Sequence, residues 1–346
     1  MQHAVEKRWY ASSPGWLYAL LPLEWLFRAI SALRKRRQSD VSETDASRTR
    51  TGSLPPVIVV GNLSVGGTGK TPVIIALCHL LQNQGFKVGV VSRGYGRTMT
   101  APHHLGPDST VAQAGDEPLE IMARCNCDIV VASDRQEAVS LLTELSNPDL
   151  ILSDDGLQHY RMMRAMELVV ITARLGFGNG HCLPVGPLRE PISRLNEVDL
   201  VLVNGKGERH PSLRSSNSGK TTSFTIQASA WVNLHTGERE ALDFQVPQPC
   251  RAYAGIGQPE AFFSSLATFG IQARCQAKPD HAEFDEGDFS DPEIQSYLMT
   301  AKDAVKCRTI APAQSWYLEI TAKFDSNFEK AFLEKVAMLV QKQRKD

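Results

Sequence analysis

The stretch Val57–Pro72, VIVVGNLSVGGTGKTP, decides the reading of this chain. Val57–Val60 are apolar and rich in β-branched side chains, so they form a buried strand. Gly66, Gly67 and Gly69 form a turn, and Thr71 opens a helix whose first turn tolerates Pro72. A strand, a Gly-rich turn and a helix in that order make a phosphate-binding loop. Backbone N–H groups of Ser64, Val65, Gly66, Gly67, Thr68 and Gly69 can converge on phosphate oxygens, and the helix N-terminus adds positive potential. Lys70 is placed to hold the β- and γ-phosphates of ATP, and Thr71 to ligate Mg²⁺. The usual pattern carries a Gly where this chain has Ser64. The rest of the motif is intact.

One variant of the loop belongs to membrane-attached ATPase switches of the partitioning and septum-placement type. Those carry a second Lys where Val65 stands here, which disfavours a dimeric switch. The segment LILSDDGLQH supplies the metal side of a nucleotide site. Leu150–Leu152 read as a buried strand, and Asp154 and Asp155 stand at its C-terminal end, where α/β sheets present ligands. By themselves the two aspartates equally suit a helix cap.

Beyond the loop, apolar runs recur at Val88–Val91, Ile129–Ala132, Leu168–Ile171 and Leu200–Val203, several separated by helix-length segments. Continuous rather than alternating apolar strands predict an α/β fold, a P-loop NTPase-like parallel sheet covered by helices on both faces. A polar stretch at 205–222 precedes an alternating segment with a Thr-Gly turn, which predicts a β-hairpin joining a second, smaller α/β lobe. That lobe begins near Arg251, has a helix from Pro259 and ends in a helix over Asn327–Lys342. The expected organisation is an N-terminal helix at 1–38, a flexible connector at 39–53, a P-loop kinase domain at 54–215, a β-ribbon linker at 216–248 and a C-terminal α/β lobe at 249–346.

The 346 residues suit two medium domains, and a net charge of −1 gives no basic field for nucleic acid. Seven cysteines are scattered, and only Cys125 and Cys127 are close; a lone C-x-C lacks the second ligand pair of a zinc site, so reduced thiols in a cytosolic protein are expected. Trp16–Gln38 begins apolar and ends in the basic cluster Arg34–Arg37, the wrong order for a secretory signal. Pro22, Glu24 and Arg28 make it a poor membrane span. Leu20, Leu23, Phe27, Ile30 and Leu33 share one helical face, which suits either a helix in an anionic membrane interface or one docked on its own domain.

Three further places offer acceptor chemistry. Asp116 and Glu117 in AGDEPLE open an apolar-periodic helix, as dipole compensation or as a general base. Asp280 and His281 in KPDHAEF lie in the second lobe, where a His can orient an Asp across a cleft. Arg189 and Glu190 in PVGPLREP follow a strand, and the Arg can neutralise phosphate charge or form a surface ion pair.

In this order, GNLSVGGTGKTP, VVSRGYGR, GDEP, DDGLQH, PVGPLREP, YAGIGQPEAFF, DHAEF and TAKDAVK make the chain resemble the tetraacyldisaccharide 4′-kinases, the lipid A 4′-kinases of Gram-negative bacteria. That family's loop usually lacks the first Walker Gly, so Ser64 is expected. The resemblance implies ATP- and Mg²⁺-dependent phosphorylation of the 4′-hydroxyl of a tetraacyl glucosamine disaccharide 1-phosphate. The product is lipid IVA, formed at the cytoplasmic face of the inner membrane. It implies Asp116 as base with His281 as its partner, and Lys70, Thr71 and Arg189 on phosphates and metal. Glu117, Asp154, Asp155, Gln158, His159 and Glu190 form the metal and nucleotide shell. TAKDAVK is similar to a base-reading stretch of GTPases, which sets Lys302 and Asp303 beside the adenine; a cap by Thr300 is the other reading. Where the family commonly has Glu, this chain has Ala301. The rivals are a membrane-associated P-loop ATPase switch and a kinase of a soluble small molecule.

Overall fold

The computed structural model describes residues 2–11, 13–48, 54–205, 210, 213 and 219–344. In chain order the strands are β1 (Val57–Gly61), β2 (Val88–Ser92), β3 (His103–His104), β4 (Asp128–Val131), β5 (Leu150–Asp154), β6 (Met166–Thr172) and β7 (Leu200–Asn204). They continue as β8 (Thr221–Asn233), β9 (Arg239–Glu240), β10 (Cys250–Ala254), β11 (Ala273–Ala277), β12 (Ser296–Thr300) and β13 (Ser315–Lys323). The helices are α1 (Gln2–Trp9), α2 (Leu21–Arg48), α3 (Lys70–Gln82), α4 (Val111–Ala114) and α5 (Asp116–Arg124). They continue as α6 (Arg135–Ser146), α7 (Pro259–Thr268), α8 (Ala301–Cys307) and α9 (Ser326–Gln343).

All six apolar runs are strands, and they lie side by side in parallel as β7-β6-β1-β5-β2-β4. Pleating sends successive side chains to opposite faces, so each face needs its own cover. Ile58 and Val60 face a core shared with Ile74, Leu77 and Leu81 of α3. Val57 and Val59 face a second core with Ala138, Val139 and Leu142 of α6.

Two features differ from the expected domain plan. The hairpin is present, but its first arm, β8, is a strand of both lobes. Its first four residues pair in parallel with β7, and Thr225–Asn233 pair antiparallel with β13. β9 closes the short hairpin against Trp231 and Val232. The lobes thus share a hydrogen-bonded ladder and one continuous sheet, where a free ribbon would leave them independent. The polar residues 206–209, 211–212 and 214–218 lie outside the described residues. Secondly, the final helix packs on the first lobe: Phe328, Phe332, Val336 and Val340 of α9 bury against the core that holds α3. The helix itself was legible, but not the lobe that would receive its apolar stripe.

At the N-terminus α2 continues through residues 39–48, which the polar composition marks as connector; 49–53 lie outside the described residues. Propagation adds one hydrogen bond per residue to a helix already nucleated, so even this polar stretch, with Glu43, Ala46 and Arg48, can continue it. The helix docks through polar groups. Glu24 is buried and accepts from the Cys182 N–H at 2.9 Å and lies 2.8 Å from His181 Nδ1. Lys35 pairs with Glu197 at 2.5 Å, and Gln38 Oε1 accepts from the Tyr160 N–H at 3.2 Å. Leu23, Trp25, Leu26, Ile30 and Leu33 are each more than half exposed. By length and composition Gly15–Gln38 is long and apolar enough to cross a membrane, even with Pro22, Glu24 and Arg28 in it. Glu24 does not count against it as a free charge, because the protein body satisfies it.

Candidate active site

The phosphate loop leaves the C-terminal end of β1 and enters α3 through Gly69, whose φ of +92° suits a residue without a β-carbon. A β-carbon there would also come within 2.7 Å of Ile226 Cδ1. Ser64 occupies the place of the missing glycine because this part of the loop is held as an extended strand. It forms an antiparallel bridge with Leu188, flanked by Val65 N–H to Pro187 carbonyl at 2.9 Å and Arg189 N–H to Leu63 carbonyl at 2.6 Å. The PVGPLREP segment is therefore latched to the loop, and the latch delivers Arg189 to the phosphate end.

Asp154 ends β5 and Asp155 follows it with φ +47°, a left-handed conformation rare for a non-glycine. Asp155 meets Lys70 Nζ at 3.5 Å and Arg189 at 2.9 Å. Burial alone would raise its pKa, but Lys70 and Arg189 outweigh this and hold it below the usual range. Asp154 is the opposite case. Burial, then Glu117 and Asp155, push it up to about 7. One of its oxygens, Oδ2, accepts from Ser92 Oγ at 3.1 Å, whereas Oδ1 is buried with no hydrogen-bond partner. An orphaned carboxylate oxygen among converging acids is what a hard divalent cation satisfies. The residues therefore fit Mg²⁺ carried with a nucleotide. Among the described residues no His, Cys, Asp or Glu cluster is arranged to hold a metal by itself, as expected when substrate phosphates supply most ligands. Thr71 lines the same cleft.

Glu190 and Gln158 sit on the cleft wall, bonded to each other at 2.9 Å. Glu190 also accepts from the Tyr160 hydroxyl, so both its oxygens are engaged. His159 stays a neutral imidazole: burial, with Arg135, Arg93 and Arg34 nearby, lowers its pKa to about 4.

Across the cleft the second lobe brings its own strand ends. Gly115, with φ +84°, turns the chain so that Asp116 opens α5 facing the loop after β11. His281 Nδ1 lies 2.9 Å from Asp116 Oδ2 and 3.1 Å from Oδ1. His281 holds φ +61°, so two of the three non-glycine residues with positive φ among those described, Asp155 and His281, are in this site. The hydrogen bond to Asp116 raises the pKa of His281. Burial opposes the charge of Asp116, but His281 and Lys302 outweigh it and lower its pKa. Removing the imidazole removes the largest lowering influence. The His281→Gln variant should therefore lose activity on the acid side at higher pH than the parent, as a kcat/KM profile between pH 4 and 8 would show. An unmoved acid limb would mean that Asp116 is not the titrating base.

Lys302 and Asp303 part company in the fold. Lys302 Nζ lies 2.9 Å from Asp280, 3.3 Å from His281 Nε2, 3.5 Å from Glu117 and 3.9 Å from Asp116. Burial works against its charge, yet Glu117, Asp116 and Asp280 raise its pKa. Asp303 is fully buried, held by the Gly255 N–H at 2.8 Å, the Thr300 hydroxyl at 2.7 Å and Lys306 at 2.8 Å. It shapes the β10–α7 turn, and Thr300 caps α8, so the capping reading holds. Sequence reading missed Ser92, Tyr95, Arg135 and the cleft wall from α2. Tyr95 packs on His281 with ring centroids 4.8 Å apart, and Arg135 donates to the Asp154 carbonyl at 3.0 Å. SRGYG follows the β2 strand end, which was the available signal for Ser92 and Tyr95; Arg135 begins a helix and carried none.

Lys70, Thr71, Asp154, Asp155, Arg189 and His281 line one cleft of about 1150 Å³ between the lobes, with Phe27, Ser31, Arg34 and Lys35 of α2 on its wall, and Asp116 is buried against His281. Residues 16–337 match the family described as Tetraacyldisaccharide-1-P 4′-kinase, LpxK. The chain belongs to this family. The tetraacyldisaccharide 4′-kinase of Ectopseudomonas mendocina (strain ymp) is 45% identical over 316 residues, 91% of each chain. That of Hahella chejuensis is 40% identical over 328 residues, 94% of each. Among solved structures, LpxK from Aquifex aeolicus in complex with ATP is similar with TM-score 0.73 and 25% identity, covering 92% of this chain and 99% of that one. The LpxK family resemblance carried by the ordered motifs is thus borne out, as is the α/β fold.

Proposed function

We propose that Asp116 is the general base of a phosphoryl transfer carried out in this cleft on a membrane surface touched by α2. As a member of its family the chain is an ATP-dependent kinase. It transfers the γ-phosphate to the 4′-hydroxyl of a tetraacyl glucosamine disaccharide 1-phosphate, forming lipid IVA in lipid A biosynthesis. The observation that carries the residue assignment is the Asp116–His281 pair, in which Asp116 of the phosphate-loop lobe is met across the cleft by His281 of the second lobe. Asp116 accepts the hydroxyl proton as the oxygen attacks phosphorus. His281 donates from Nδ1 to the carboxylate, aims it and shares the proton as it arrives. Lys302 balances the acids around them. Lys70 and Arg189 exchange Asp155 for phosphate oxygens, and Ile226, Ile256, Phe262 and Leu318 offer the purine an apolar wall. When bound, Mg²⁺ neutralises charge on the transferring phosphates, held by Thr71 and Asp154 with Asp155. Glu117 and Glu190 stand in the surrounding shell.

The acceptor is a lipid, and its chains must stay in a bilayer while the sugar reaches Asp116. The α2 helix suits this, because it spends its polar residues on docking and turns its apolar ones outward, with Arg34, Arg36 and Arg37 for anionic headgroups. Replacing Leu23, Leu26, Ile30 and Leu33 together by Ser should lower partition onto anionic vesicles roughly a thousandfold, at about 1 kcal/mol for each partly buried side chain. Unchanged co-sedimentation would remove the membrane role. The overall reading is tested with labelled ATP and the lipid acceptor in detergent micelles: label should enter the lipid, and chelation of divalent cations should stop it. ATP hydrolysis and dimerisation without lipid labelling would favour the ATPase switch instead.

A further inference from the structure

Helix α2 grips the segment that carries Arg189. Residues 181–189 fold back on themselves: the Leu188 N–H donates to the His181 carbonyl at 3.2 Å, and the Leu183 N–H to the Leu188 carbonyl at 2.9 Å. Leu188 is also the residue bridged to Ser64. Three short stretches therefore lie side by side, 181–183, 187–189 and 63–65, and the last runs into the phosphate loop. On α2, Glu24 Oε1 accepts from the Cys182 N–H at 2.9 Å, and Oε2 lies 2.8 Å from His181 Nδ1. Glu24 is only 3% exposed, although Leu23, Trp25 and Leu26 beside it are more than half exposed. A buried carboxylate needs partners that offset its lost hydration. Both of these partners belong to the segment that ends in Arg189. The chain before α2 adds a second hold. Trp9 Nε1 donates to the Pro184 carbonyl at 3.0 Å, and the Trp9 carbonyl accepts from the Asn179 N–H at 2.7 Å. Gly178 gives that carbonyl its room, since a β-carbon there would come within 2.4 Å of it.

We propose that Glu24 is a positioning residue for phosphoryl transfer: from α2 it holds residues 181–189 against the phosphate loop and so fixes Arg189 at the phosphates. The inference rests on the reading of Arg189 as a phosphate ligand. Glu24 does not itself line the cleft. Its hold passes from Cys182 to Leu188 through the backbone bonds of the folded segment, and Leu188 adjoins Arg189. Arg189 is then set from two sides, by its own N–H on the Leu63 carbonyl at 2.6 Å and by its guanidinium on Asp155 at 2.9 Å. A guanidinium binds phosphate oxygens through a rigid fork, so its placement decides what it contributes. Without Glu24 the buried Cys182 N–H loses its acceptor, and the segment relieves that cost by shifting toward water. One carboxylate thereby ties the helix with the outward apolar face to the phosphate end of the site.

The test compares Glu24→Leu and Glu24→Gln in the full chain, with labelled ATP and the lipid acceptor in detergent micelles. Glu24→Leu removes both acceptor oxygens. It should lower kcat on the order of tenfold, since small displacements of groups around the reacting atoms cost this much or more. The KM for ATP should rise, and the KM for the lipid should stay within a few-fold. Glu24→Gln keeps an oxygen for the Cys182 N–H and should recover most of the loss. Hydrogen exchange read by mass should quicken at 181–189 in Glu24→Leu, with co-sedimentation on anionic vesicles unchanged. Trp9→Phe loosens the same segment from its other hold and should move kcat and the ATP KM in the same direction. Unchanged kcat in both Glu24→Leu and Trp9→Phe, or a loss confined to vesicle binding and the lipid KM, would overturn the proposal. An Arg189→Ala background separates it from the reading beneath it. There Glu24→Leu should cost little more, because both changes act through one group. Additive losses would overturn the coupling and leave the role of Arg189 standing, whereas full activity of Arg189→Ala alone would remove that role and the coupling with it.

Discussion

Asp116→Asn should lower kcat by about two to four orders of magnitude, the range by which positioned bases contribute, while leaving the KM for ATP within a few-fold. The substitution keeps the volume of a buried side chain, and the amide oxygen can still accept from His281 Nδ1, 2.9 Å away. Only the capacity to take the hydroxyl proton disappears. Steady-state transfer to the lipid acceptor would show the loss as a fall in kcat and kcat/KM together, the mark of an interaction made in the transition state. An unchanged thermal transition would separate this from unfolding. Near-full turnover would move the base elsewhere.

Lys70→Ala should cost about a thousandfold in kcat/KM, as expected for one preorganised charge donor to a transferring phosphate. The loss should appear in ATP affinity as well, because Lys70 meets phosphates before and during transfer. In the resting site its partner is Asp155, 3.5 Å away. Asp155 would then keep Arg189 as its close cation, and with the largest lowering influence gone its pKa should rise. Isothermal titration with a non-hydrolysable ATP analogue would read the binding part and single-turnover transfer the chemical part. Unchanged affinity and turnover would show that the loop does not hold the phosphates.

Much of this site is visible along the chain because the chemistry sits where parallel strands end. GGTGKT follows β1 and DDG follows β5, both written as apolar runs. A strand can be read from its apolar run, so the residue after it can be placed. What was hidden lies at a distance along the chain. Lys302 and Asp303 are adjacent in a helix start, and likeness to a base-reading stretch gave them a shared task. The fold turns one into the acid cluster and the other into the core, where Gly255, Thr300 and Lys306 use it. Glu190 was legible as an acid near the nucleotide, but not as the partner of Tyr160 and Gln158.

The sequence by itself determined the parallel sheet, the phosphate loop and the family. Strand burial, glycine conformational freedom and helix caps are local properties, written within a few residues of each other. Only the tertiary structure decided that β8 serves both lobes, that α9 returns to the first, and that His281 reaches across 165 positions to Asp116. Those outcomes depend on which apolar stripe finds which face, a competition among distant surfaces that no local pattern records.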